Sequence, residues 1–139
     1  MDFADILSKL NYWAVLTAAV SGFLVGGAWY SPALFAKRWM AANGFVQADL
    51  KHGNTSLIFG GSFTLSLISA LVLAMFIGPS SNLSFGTTSG ALVGLGWVAT
   101  SFGITYFFER KPVILFLINA GYHIVTFTVM GAILGVWHN

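Results

Sequence analysis

The chain has 139 residues, enough for one domain of ordinary size; 57% are hydrophobic, 16% aromatic and only 7% charged. Six Lys or Arg and four Asp or Glu cannot clothe a water-soluble globule, which carries about 25% charged residues, and the same hydrophobicity excludes disorder. A net charge of +2 without a polybasic stripe offers nothing to nucleic acid, and the absence of cysteine removes disulfides, thiolate nucleophiles and cysteine metal sites.

Lipid is the remaining solvent. A hydrocarbon core about 30 Å thick takes roughly 20 apolar residues of helix to cross. Residues 11–29 form the first such stretch and carry no charge. The ten residues before it hold one Lys against two Asp, and Ala28-Trp29-Tyr30 lacks the small-residue spacing of a cleavage site, so a retained helix is expected rather than a signal peptide. Residues 30–55 are the one soluble-looking segment. Within them Pro32 to Ala42 mixes Leu34, Phe35, Trp39 and Met40 with Lys37 and Arg38. That mixture suits a short amphipathic helix, either lying at the cytoplasmic interface or packed as a cap over the bundle end.

The second span covers residues 56–77 and ends at Gly78-Pro79-Ser80-Ser81-Asn82, a turn cluster. The third, residues 88–108, is stopped by Glu109-Arg110-Lys111-Pro112, where Glu109 and Arg110 read as an interfacial ion pair. The fourth covers residues 113–137, with Pro112 suited to its first turn. In lipid each segment must close its own backbone hydrogen bonds, so all four are helices. Lys37, Arg38, Lys51, Arg110 and Lys111 fall on one side of this topology and Lys9 alone on the other. The positive-inside bias therefore expects both termini outside the cytoplasm.

Ser21-Gly22-Phe23-Leu24-Val25-Gly26-Gly27-Ala28-Trp29 matches Ser89-Gly90-Ala91-Leu92-Val93-Gly94-Leu95-Gly96-Trp97 at six of nine positions. A weaker echo links residues 57–61 with 117–121. Two readings stand: a duplicated hairpin with its pseudo-axis along the membrane normal, or chance similarity among residues common in membrane helices. Small residues also recur at helical spacing: Gly22 and Gly26; Ser62, Ser66, Ala70 and Ala74; Gly86, Gly90 and Gly94; Gly131 and Gly135. Such stripes let backbones approach where hydrophobicity gives no drive. Packing within one chain explains most of them, and their surplus points to a homo-oligomer. Trp13, Trp29, Tyr30, Trp39, Tyr106 and Trp137 lie near helix ends, as an aromatic belt requires.

Intramembrane polarity is sparse, which makes each instance a functional candidate. Asn119 and His123 share a helix face, with Thr126 one turn on. Thr100, Ser101 and Thr105 of the adjacent span are expected to meet them, with Asn119 reaching Thr105 or Ser101 and His123 level with Thr100 and Ser101. The cluster either binds a solute or relays a proton through His123, or it is interhelical glue. The Trp29-Tyr30-Ser31-Pro32 break is a second candidate, a corner where Tyr30 and Ser31 could bond carbonyls freed by Pro32. Tests for reaction chemistry fail. No carboxylate lies in a span, no metal-ligand spacing links His52, His123 and His138, and no nucleophile elbow or phosphate loop exists. No enzyme activity, metal or cofactor is expected.

Gly26-Gly27-Ala28-Trp29-Tyr30-Ser31-Pro32 followed by Lys37-Arg38-Trp39-Met40 resembles the opening of the DUF1761 family of small, mostly bacterial membrane proteins. Phe108-Glu109-Arg110-Lys111-Pro112 with Leu117-Ile118-Asn119-Ala120-Gly121-Tyr122, and then residues 130–137, are similar to its later signatures. The resemblance implies about four helices, no assigned catalytic residues and no known function, and the expected location is the cell (inner) membrane. The expectation is thus an all-α integral membrane four-helix bundle, non-enzymatic, with the lipid bilayer and its own copies as partners, and room for a small ligand or protein partner. A small-solute or proton transporter, or a channel, built on the Asn119 and His123 face is the competing expectation.

Overall fold

Asparagine side chains start three of the four membrane-length helices. In the computed structural model, which describes residues 2–138, helix α1 (Phe3–Ser8) precedes α2 (Tyr12–Trp29). Asn11 Oδ1 caps α2 by accepting from the Trp13 and Ala14 N–H groups at 3.0 and 3.1 Å. After α3 (Ala36–Asn43) and a single 3₁₀ turn, Asn54 caps α4 (Thr55–Ile77) through the Leu57 N–H, 3.0 Å away. Asn82 does the same for α5 (Leu83–Val93) through Phe85 at 2.9 Å. Each cap satisfies donors that lipid could not.

Gly94–Ala99 continues α5 as a π-helical stretch into α6 (Thr100–Phe108), so the third span is 26 residues long. It begins five residues before the expected Thr88, because the Asn82 cap recruits the less apolar residues 83–87 into the helix. Pro112 is the cap residue of α7 (Val113–Val136), one position ahead of its expected place. Glu109 and Arg110 form no ion pair: the one salt bridge among the described residues is Lys9–Asp5 in α1, at 2.8 Å. Arg110 instead takes the left-handed conformation, φ 57°, at the end of α6, while the Lys111 N–H closes back on the Tyr106 carbonyl at 2.9 Å. That geometry is usually glycine's; here it makes the hairpin between α6 and α7 tight.

The four spans are long and apolar enough to cross a membrane. Small residues are frequent in the interior, beside Leu73, Ile77, Met130 and Leu134, while many large apolar side chains face outward, as in a bundle solvated by lipid. Ala14, Ala18, Ala19, Ala70, Ala74 and Ala120 are buried, whereas Leu65, Leu92, Ile104 and Phe108 face outward, Phe108 at 86% exposure. Helix α7 is central and packs on α2, α4 and α5. Gly86, Gly90 and Gly94 mesh with Gly131 and Gly135 so closely that a Cβ at Gly90 would fall on the Phe127 carbonyl and one at Gly86 on the Gly131 carbonyl. Ser66 joins α4 to α2 by donating to the Ala19 carbonyl at 2.9 Å, beside Gly22.

Most of the small-residue stripes are thus packed inside one chain, as expected. Ser62 is the exception in its stripe, exposed rather than packed. The similar segments of α2 and α5 are not packed alike. Gly22 lies beside the Ser66 and Thr126 side chains, whereas its match Gly90 lies on the α7 backbone. The aromatic belt also divides. Trp13 and Trp137 are exposed, but Trp29, Tyr30, Trp39 and Tyr106 are half-buried, and each has a partner inside the fold.

Candidate functional site

Pro32 has no N–H and ends α2 in a sharp corner. The Phe35 N–H bonds the Trp29 carbonyl at 3.1 Å, and the Ser31 hydroxyl bonds the Ala28 carbonyl at 2.7 Å, so Ser31 plays its expected part. Tyr30 does not serve the corner with its hydroxyl. It reaches α7 and donates to Asn119 Oδ1 at 2.7 Å, while Asn119 Nδ2 donates to the Tyr106 hydroxyl at 3.0 Å. Burial first, and then the neighbouring Tyr122 and Tyr106, push the Tyr30 phenol far above its ordinary range, so it remains a donor. One residue earlier on α7, the Ile118 carbonyl accepts from Trp29 Nε1 at 2.9 Å, and the indole lies against Gly121, where a Cβ would stand 2.9 Å from the ring. The Tyr122 hydroxyl completes the seam by donating to the Gly22 carbonyl at 3.0 Å.

The corner and the polar face of α7 are therefore one structure. Sequence reading treated them as two sites, since nothing local links residues 89 apart.

The expected hydroxyl partners lie elsewhere. Thr100 and Ser101 are exposed and donate to carbonyls of their own helix, Thr100 to Gly96 and Trp97 at 2.7 and 3.0 Å and Ser101 to Trp97 at 2.6 Å. Thr105 is exposed too, and Tyr106 takes the place expected for it beside Asn119. The π-helical stretch explains the displacement. Gly86, Gly90 and Gly94 are buried at intervals of four, but the next buried positions are Ala99 and Gly103. One extra residue per turn rotates the rest of the span by about 100°, carrying Ser101 and Thr105 outward and Phe102 and Tyr106 inward. The five-residue step from Gly94 to Ala99 was the only sequence signal of this shift.

His123 consequently meets rings, not hydroxyls. Its imidazole stacks on Phe102 at 4.9 Å and 23°, leans on Tyr122 at 4.8 Å, and makes no hydrogen bond with any described residue. Thr126, one turn on, is 3% exposed at the α2–α7 contact, and its hydroxyl is also without a hydrogen-bond partner.

Tyr30, Asn119, Tyr122 and His123 line an open cavity of about 690 Å³ between α2, α4 and α7, with Phe102 of α6 and the inner side of α3 also in its wall. Ala36, Trp39 and Met40 turn inward from α3, while Lys37 and Arg38 stay exposed. Of the two expectations for this helix, the cap over the bundle end describes its apolar side. No Lys, Arg, Asp or Glu lines the cavity, and no group of three or more potential metal ligands exists among the described residues. The site can hold an apolar molecule and offer it hydrogen bonds from several sides.

No curated protein and no solved structure matches this chain. One family model does, described as a protein of unknown function, DUF1761, and it spans residues 13–135, from the start of α2 almost to the end of α7. With the match running through the corner, the polar seam and every wall of the cavity, the chain belongs to the DUF1761 family of unknown function.

Proposed function

We propose that this multi-pass membrane protein is a binding protein, holding one small and mainly apolar molecule beneath α3 and performing no reaction on it. The observation that carries this reading is the cavity of about 690 Å³, well inside the 300–1,000 Å³ typical of small-molecule sites. Elsewhere the same bundle closes its helix contacts to backbone distance at Gly86, Gly90 and Gly94. Small residues were available to seal this space as well, yet six aromatic side chains frame it. In this reading the five basic residues of the α3 end face the cytoplasm, by the positive-inside bias.

Transport is the weaker reading. Ala14, Ala18, Ala70, Leu73, Ala74 and Met130 form a packed layer on the far side of the cavity, which favours a one-ended pocket over a through path. Self-association is not needed either, because most of the small-residue stripes already have partners.

The test is chemical. Protein purified in native lipid discs is extracted, and co-purifying small molecules are quantified by mass spectrometry. Gly27 lines the cavity and a Cβ there meets nothing within 4 Å, so Gly27→Phe adds a ring at the cavity wall where the backbone has room for a side chain. Gly60 is equally open but does not line it, so Gly60→Phe is the control. A molecule near one per chain in wild type and Gly60→Phe, and absent from Gly27→Phe, is expected. Equal retention in all three, or none in wild type, overturns the reading.

A further inference from the structure

Most polar groups around the cavity are already engaged. The hydroxyls of Tyr30, Tyr122 and Ser66 donate to Asn119, Gly22 and Ala19, and Asn119 is bonded through both its oxygen and its nitrogen. Three lining groups have no hydrogen-bond partner among the described residues: the Trp39 indole N–H on α3, the Ser62 hydroxyl on α4 and the ring nitrogens of His123 on α7. They stand on three different walls.

Their chemistry restricts the ligand. An indole only donates, a neutral imidazole donates through one nitrogen, and a serine hydroxyl can rotate to donate. The indole demands an acceptor oxygen, and the imidazole and the hydroxyl can each donate to a second. With no ionised side chain in the lining, a charged ligand would be desolvated without a counter-ion, which is costly. Aromatic faces favour a flat ring, and the imidazole is itself held between Phe102 and Tyr122. The open side faces where lipid would be: α4 scarcely approaches α6, and Ile58 and Phe59 at that edge are 52% and 59% exposed.

Resting on the binding reading above, we infer that the ligand is an uncharged, lipid-soluble ring bearing carbonyl oxygens, a molecule of the quinone class. It enters from the bilayer between α4 and α6 and accepts hydrogen bonds from His123, Ser62 and Trp39. No electron transfer is involved in this assignment; it concerns recognition alone.

The full chain in lipid discs is titrated by equilibrium dialysis with a short-tailed benzoquinone and, separately, an alkylbenzene of the same length, with empty discs subtracted. The quinone is expected to saturate at one per chain and to bind about tenfold more tightly than the alkylbenzene, as one buried hydrogen bond would give. His123→Phe keeps the stacked ring and removes the nitrogens, so it should cost the quinone about tenfold and leave the alkylbenzene unchanged. Should that variant fail to fold, Ser62→Ala, at an exposed position, should weaken the quinone about threefold and leave the alkylbenzene unchanged. Equal affinity for the two probes, or a quinone affinity indifferent to these substitutions, overturns the inference. If the alkylbenzene saturates and is expelled by Gly27→Phe while the quinone gains nothing, the ligand class falls and the binding reading stands. If neither probe saturates, both fall.

Discussion

The Tyr30 hydroxyl meets Asn119 at 2.7 Å, tying the residue that ends α2 to the second turn of α7 across 89 positions of sequence. Tyr106 extends the tie to α6, so one asparagine side chain joins three of the four spans. In a bilayer such a bond is worth less than intuition suggests, about 0.6 kcal/mol on average and about 1.7 at most, because the unfolded chain also finds partners.

A double-mutant cycle measures it. Tyr30→Phe and Asn119→Leu should each destabilise the bundle by about 1 kcal/mol, and the double variant should cost about 0.6 less than their sum. Denaturant titration in mixed micelles reads both quantities. Strict additivity would mean that the 2.7 Å contact contributes nothing.

The glycine seam is predicted to tolerate no methyl group. Gly90→Ala places its Cβ against the Phe127 carbonyl, where backbone must move, so a loss of about 1–3 kcal/mol is expected. Gly60→Ala has open space and should gain up to about 1 kcal/mol from helix propensity. The same unfolding assay compares them, and a mild Gly90→Ala would deny the close approach of α5 and α7.

The π-helical register can be checked by chemistry, because the chain has no cysteine of its own. Ser101→Cys and Thr105→Cys, spin-labelled in detergent and returned to lipid, should be relaxed strongly by dissolved oxygen, and Phe102→Cys weakly. Deleting Gly96 converts the stretch to regular α-helix and should reverse that order. An unchanged order after the deletion would contradict the register argument.

Sidedness is tested with Lys111→Cys and Ser8→Cys in intact cells. A membrane-impermeant maleimide should label position 8 and spare position 111 until the cells are opened. The opposite result would reverse the orientation drawn from the basic residues.

Sequence alone located three of the four spans to within about one residue, since an uncharged apolar run about 20 residues long has one stable fate in lipid. The third starts earlier than its apolar run because Asn82 lies in a Gly-Pro-Ser-Ser turn cluster and yet caps a helix through the Phe85 N–H. Asn119, His123 and the Trp29–Pro32 corner were legible as candidates, since polar groups and helix breaks stand out against a uniform apolar background.

What the sequence by itself determined is the solvent and the number of crossings, both set by how few ions the chain carries. Which faces meet was left to the tertiary structure. Helices that are apolar all round have no wet side to orient them, so the partners of Asn119 and His123 depended on contacts between distant segments and on one inserted residue in a helical turn. The cavity arises the same way, from where glycine lets backbones close and where aromatic rings hold them apart.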